Sequence, residues 1–191
     1  PLIFDITDIK GTLQAAETVS GFLNGKTLTA LINNAGIAIM APLEFISLSE
    51  FMQQMNTNVV GTLNCIQCFL PLLKPTTPEA ALPAGRIINI SSALGGKIGY
   101  PFYGAYCASK HAIEGLSEAL RRELCIHGIK VIVVAPGAIA TPIWNKAEKK
   151  LTNQDYSETV YGSAFRKNME SLKSLGLNGL PPRTVAQKIL T

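Results

Sequence analysis

Arg86-Ile-Ile-Asn-Ile-Ser-Ser-Ala-Leu-Gly-Gly-Lys-Ile-Gly-Tyr-Pro-Phe-Tyr-Gly-Ala-Tyr-Cys-Ala-Ser-Lys110 is the stretch whose reading decides the fold. Its first five residues form an apolar run that reads as a buried strand, Arg86–Ile90, ending at the pair Ser91-Ser92. Beyond a Gly-rich loop, Ile113, Leu116, Leu120 and Leu124 recur at helical spacing and predict a helix from Ala105 to His127, closed by Gly128. Tyr106 and Lys110 stand four apart at its head and so share one face. A free phenol titrates near pH ~10 and shuttles protons poorly at neutral pH, whereas a lysine cation held beside it favours phenolate. A serine hydroxyl at the strand end would then orient a carbonyl or alcohol. Tyr-x-x-x-Lys alone is a common helical pair; directly after a strand, a serine pair and a Gly-rich loop it reads as an acid/base site.

On the N-terminal side, Leu2–Ile6 reads as a short strand with Asp5 at its polar end, and Lys10–Asn24 as a helix closed by Gly25. Leu28–Ile32 is the next apolar strand, stopping at the small-residue loop Asn33-Asn34-Ala35-Gly36. Ser47-Leu48-Ser49-Glu50 is a capping box opening a helix that runs to about Leu73. Asn56 and Asn58 are poor helix formers inside it, and Asn58 reads either as a satisfied core amide or as a functional group. Lys74–Gly85, with three prolines, is a loop. After the central helix, Ile129–Ala135 is a fully apolar strand that stops at Pro136–Pro142, followed by helices near Tyr156–Leu175 and from Arg183 behind Pro181-Pro182. Strands alternating with helices predict an α/β fold with a parallel sheet. In such sheets ligands bind at the carboxyl ends of the strands, where Asp5, Asn33–Gly36, Ser91-Ser92 and Pro136–Thr141 all fall.

The 191 residues fit one domain, 1–191, and with 47% apolar against 16% charged residues they suffice for a sizeable core. A net charge of +4 on scattered lysines and arginines, without basic patches interleaved with aromatics, argues against nucleic acid as a partner. The sequence as it stands opens with no signal peptide and contains no apolar run of membrane-spanning length, so a cytoplasmic protein is expected. Cys65, Cys68, Cys107 and Cys125 lack the spacing of a disulfide framework or a zinc site; Cys65-x-x-Cys68 falls in a helix and reads as a pair of buried thiols, and no metal is expected. Asn89-Ile-Ser91 has the form of a glycosylation acceptor but lies in the buried strand, so the match is read as accidental.

Taken together, Asn33-Asn34-Ala35-Gly36, Asn58 with Gly61, Ser92, Tyr106-Cys-Ala-Ser-Lys110 and Pro136-Gly137 with Thr141 resemble the short-chain dehydrogenase/reductase family over nearly the whole chain. The resemblance implies a Rossmann-like, doubly wound parallel sheet and hydride transfer between NAD or NADP and an alcohol or carbonyl. By resemblance, Tyr106 is the general acid/base, Lys110 lowers its pKa and holds the nicotinamide ribose, and Ser92 hydrogen-bonds the substrate oxygen. Because the segment from the serine pair to Tyr106 is one residue longer than the family's usual pattern, Ser91 is the other candidate for that role. Asn58 would hold a water linking Lys110 to solvent. Asn34, Ala35 and Gly36 would flank the cofactor, Asp5 would meet the adenine, and Ile139 and Thr141, after Pro136 and Gly137, the carboxamide. The long helices Ser49–Leu73 and Tyr106–His127 would pair in homodimers or homotetramers.

The family's opening strand and its Thr-Gly-x-x-x-Gly-x-Gly loop, which cradles the pyrophosphate, have no counterpart here, and by resemblance the sequence lacks the first two strands and the last one. In the family's strand order those two strands lie between the first strand seen here and the next. The expectation is an incomplete part of a longer protein, with Leu2–Ile6 lacking a neighbour and an apolar edge exposed at Leu28–Ile32; as a free-standing chain it should aggregate or fold poorly and should not bind dinucleotide tightly. The segment 142–182 reads as a substrate lid, with Ile143, Trp144, Tyr156, Tyr161 and Phe165 either lining an apolar pocket for a steroid- or retinoid-like substrate or packing the lid against the body. The alternatives are a non-catalytic binding or regulatory protein of the same fold, and a sugar-nucleotide epimerase or dehydratase.

Overall fold

The computed structural model describes residues 1–75, 84–141, 143 and 156–190. The elements, in chain order, are α1 (Ile9–Leu23), β1 (Ala30–Asn33), α2 (Leu48–Met55), a π-helical turn (Asn56–Val60), α3 (Gly61–Leu73), β2 (Arg86–Ile90), α4 (Ala93–Gly96), α5 (Gly104–Glu123) with a 3-10 turn (Leu124–His127), β3 (Lys130–Val134), α6 (Gly162–Leu177) and α7 (Pro182–Leu190). The three strands form one parallel sheet in the order β1-β2-β3, with Ala30 opposite Arg86 and Arg86 opposite Lys130. This is the α/β fold that the alternating pattern implies. The chain groups into two compact units: 1–36, 56–90 and 112–134 in the first, and 37–55, 91–111 and 135–191 in the second.

The first unit holds the sheet. Its core is Ile66, Leu73, Ile87, Leu120, Leu124, Ile129 and Val131, with a second cluster of Ala15, Ala16 and Phe69 joining α1 to α3. Burial of such aliphatic side chains contributes roughly 1.5–3 kcal/mol each. One buried chain of polar side chains inside this unit is paired throughout. Asn33 Nδ2 donates to Asn89 Oδ1 at 2.8 Å, Asn89 Nδ2 donates to Ser117 Oγ at 2.8 Å, and the Ser117 hydroxyl donates to the Ile113 carbonyl at 2.6 Å. Asn89 is fully buried, which leaves its glycosylation-like context without access. We expect Asn89→Leu to destabilise the fold by about 2–3 kcal/mol, because Asn33 and Ser117 both lose a buried partner; equilibrium urea unfolding measures it, and a change under about 0.5 kcal/mol would refute the role.

Differences from the sequence reading have local causes. Leu2–Ile6 is not a strand among the described residues: Ile3 is 97% exposed, and the segment has no ladder partner, which is what makes extended backbone a strand. It is held instead at its end, where Asn64 Nδ2 donates to the Ile6 carbonyl at 2.8 Å. Strand β1 starts at Ala30, because the Leu28 N–H caps α3 at the Leu72 carbonyl, 2.8 Å away. β3 is not buried on both faces: Val131 is buried but Ile132 is 37% exposed, and Ile32 on the edge strand β1 is 46% exposed. The helix near Tyr156 begins at Gly162, after a turn in which the Thr159 hydroxyl donates to the Tyr156 carbonyl at 2.7 Å.

The long helix after the capping box is interrupted. The box itself forms, with Glu50 N–H donating to Ser47 Oγ at 3.2 Å and Ser47 N–H to Glu50 Oε2 at 3.0 Å. At Asn56–Val60 the helix widens to a π turn, and the Thr62 hydroxyl donates to the Asn58 carbonyl at 2.8 Å, satisfying an acceptor that the regular ladder would have served. At the end of α5, Gly128 adopts φ +69° and donates its N–H to the Cys125 and Leu124 carbonyls, which closes the helix where the sequence reading has it.

Candidate active site

Ser92, Tyr106 and Lys110 meet within the second unit. Ser92 follows β2 in extended conformation and caps the short helix α4, its Oγ accepting the Gly95 N–H at 3.2 Å. The same hydroxyl lies near the Tyr106 phenol, where it favours the ionised form. Lys110, one turn along α5, lies with Nζ 5.8 Å from the Tyr106 ring centroid. The Ala93 N–H donates to the Pro136 carbonyl at 2.9 Å, which fixes the loop after β3 to the start of α4. Ser91 differs from its neighbour: its Oγ is buried and meets no hydrogen-bond partner among the described residues.

The surroundings of this group are apolar. Tyr106 packs with Met40, Tyr103, Cys107 and Leu172, with Tyr100 and Met169 alongside, and the Tyr103 and Tyr106 rings meet edge to face at 6.0 Å. Burial pushes the Tyr106 phenol above its ordinary pKa; the Ser92 hydroxyl opposes this, and Cys107 adds slightly to the rise. Burial likewise pushes the Lys110 ammonium down to about 8. Hence at neutral pH the phenol is protonated and the lysine is mostly charged, and it is Ser92 that favours the phenolate.

The other residues singled out in the sequence divide between the units. Asn58 in the first unit is 2% exposed and lies in the π turn, where a Cβ on Gly36 would meet its Oδ1 at 3.2 Å. Asn34, Ala35 and Gly36 are exposed beyond β1, and the Asn33–Asn89 hydrogen bond anchors the base of their loop. Asp5 is exposed, and its Oδ1 accepts from the Thr7 N–H and the Thr7 hydroxyl, both at 2.8 Å, which hold its carboxyl below the usual range. In the second unit Gly137 is exposed with open space around it, Ile139 bridges in parallel to Leu180, and Thr141 is half-buried.

Of the lid candidates, Tyr156, Tyr161 and Phe165 close a ring of aromatic contacts with Phe45 and Phe102, at centroid distances of 5.1–6.2 Å. They pack against one another and against those two loops. Trp144 and the rest of 144–155 lie outside the described residues, as does Pro142. Cys65 is buried and its thiol is pushed up to about 11 by burial and by Cys68; all four cysteines are free.

Three features escaped the sequence reading. Gln54 is fully buried, its Oε1 accepting the Ile39 N–H at 2.7 Å and its Nε2 donating to the Ile37 carbonyl at 2.8 Å, so it braces the chain just past Gly36. Its signal was a glutamine at a core-facing position of an amphipathic helix. Phe102 has φ +67°, uncommon for a bulky residue, and places its ring between Tyr161 and Phe165. Gly95 was passed over as loop, although a Gly-Gly pair three residues after Ser92 marks a close approach.

The family model described as short chain dehydrogenase matches residues 1–152. An NADPH-dependent 3-dehydrocapnine reductase of Ornithobacterium rhinotracheale is 37% identical over 187 residues, covering 98% of this chain and 64% of the relative. A 3-ketodihydrosphingosine reductase of Bacteroides thetaiotaomicron is 35% identical over 189 residues, covering 98% of this chain and 66% of the relative. Among solved structures, ElxO with NADP bound matches with a TM-score of 0.65 and 30% identity, over 81% of this chain and 58% of that one. The chain therefore spans just under two thirds of the length of both relatives.

Proposed function

The chain belongs to the short-chain dehydrogenase family, and on that premise we propose that it is the catalytic part of an NAD(P)-dependent oxidoreductase that reduces a ketone or aldehyde on a lipophilic molecule to the alcohol. The observation that carries this is the grouping of Ser92, a buried, protonated Tyr106, and Lys110 with Nζ 5.8 Å from the Tyr106 ring centroid. A protonated phenol is a proton donor, which suits the reductive direction. Ser92 and Tyr106 together hold the substrate oxygen; Tyr106 gives it the phenolic proton as the carbonyl becomes an alcohol. Lys110 stabilises the phenolate left behind. The wall of Met40, Tyr103, Leu172 and Met169 excludes water from that proton and supports an apolar substrate body.

The residues present fit a nicotinamide dinucleotide. Gly36 leaves the Asn34–Gly36 backbone open beside Asn58, and Gly137 leaves open space in its own loop. By the family resemblance, the residues proposed to hold it are Asp5, Asn34, Ala35, Gly36, Tyr106, Lys110, Pro136, Gly137, Ile139 and Thr141, with Asn58 proposed to hold a water. When bound, it supplies the hydride. Similarity to an NADPH-dependent reductase and to an NADP-bound structure makes NADPH the first cofactor to try.

The test is loss of reduced-nicotinamide absorbance when the intact protein is given NADPH or NADH and a series of ketones of increasing chain length. Longer apolar ketones should turn over with lower KM, and Ser92→Ala should cut kcat by about 10- to 100-fold with little change in dinucleotide affinity. No turnover with any carbonyl by a folded, dinucleotide-binding protein would sink the proposal.

A further inference from the structure

We propose that Gly95 is a positioning residue for the acid/base group: the lack of a side chain there lets the Tyr106 ring lie against the backbone of α4, where its hydroxyl meets Ser92. This rests on the reading of Tyr106 as the proton donor. A Cβ on Gly95 would stand 2.5 Å from Tyr106 Cε1 and 2.8 Å from Cδ1, and 3.5 Å from Lys110 Cγ. The first two distances lie well inside van der Waals contact, and the atoms belong to a rigid ring rather than to the free end of a chain. The ring has little freedom to shift, because it also packs against Tyr103 and the cluster of Met40, Cys107 and Leu172. The same peptide unit donates its N–H to Ser92 Oγ. One backbone position therefore both supports the phenol ring and holds the Ser92 hydroxyl.

Gly95 carries no left-handed φ, so alanine suits its backbone, and the conflict lies in the ring alone. Gly99 lies in the same connection with nothing within 4 Å of a Cβ and serves as the control. In the intact protein with its nicotinamide cofactor, Gly95→Ala should lower kcat by about 10- to 100-fold, since a displacement near 1 Å costs this much. Dinucleotide affinity by titration should stay within about two-fold, and the acid limb of the pH profile for alcohol oxidation should move to higher pH as the phenol moves away from the Ser92 hydroxyl. Gly99→Ala should match the parent.

A stability cycle covers poor folding of the variant. In the Tyr106→Ala background, where the ring is gone, the destabilisation caused by Gly95→Ala should vanish. A cost that persists there, or a Gly95→Ala enzyme with parental kcat and pH profile beside an inactive Tyr106→Phe, overturns the positioning role alone. Full activity of Tyr106→Phe overturns the reading beneath it.

Discussion

Tyr106→Phe should reduce turnover by about 10³-fold while leaving dinucleotide affinity within about three-fold. The substitution removes one oxygen and leaves the ring, which keeps its edge contact with Tyr103 and its place in the Met40–Leu172 cluster. What is lost is the proton and one of two hydrogen bonds to the substrate oxygen; general acid catalysis contributes about 10²–10⁴-fold. Because the phenol is held protonated by burial, the loss should be greatest in the reductive direction and should persist across neutral pH. Steady-state kinetics in both directions beside dinucleotide titration measure it. A variant with more than a tenth of parental kcat would place the proton elsewhere.

Lys110→Met should abolish most activity and yet make the protein relatively more stable at neutral than at alkaline pH. Lys110 is buried, and burial pushes its ammonium down to about 8 from an ordinary value of 10.5. A basic group with a depressed folded pKa binds fewer protons folded than unfolded between those two values, so its contribution to stability rises with pH across that window. Below pH 8 both states are protonated and the full desolvation cost, on the order of 3 kcal/mol, weighs on the fold. Methionine carries no such cost. The difference in unfolding free energy, Met minus Lys, should therefore be most favourable to Met at pH 7 and shrink as pH rises toward 10.5. Urea unfolding at a series of pH values reads it, and a difference independent of pH would mean the ammonium is not held at this burial cost.

What the sequence disclosed depended on whether the deciding interactions were local. Arg86–Ile90 was legible to the residue, because an isoleucine-rich run between a loop and a serine pair has one reading, and Ser47–Glu50 and Gly128 were legible because caps act within one turn. Leu2–Ile6 misled, since apolar β-branched composition is only half of a strand and pairing is the other half. Asn58 was ambiguous in sequence; burial and the contact with Gly36 show where it sits. Phe45 and Phe102 gave no sign of joining Tyr156, Tyr161 and Phe165, because the contacts span more than fifty residues of chain. The Ser92–Tyr106–Lys110 group was visible as a pattern, but its electrostatics were not: burial, which no spacing encodes, dominates both titrating groups.

The wide turn at Asn56–Val60 is, in effect, one residue inserted into a helix. Deleting Val59 or Val60 would let the ladder close into a plain α-helix and would swing Asn58 by about 100° about the axis against Ile66, Phe69 and Leu73. Chain length in this stretch is thus fixed as tightly as residue identity. A homologue that has lost a single codon here cannot keep an asparagine opposite Gly36, whatever side chains surround it, and a gap in this turn is a sign that the site has been rebuilt.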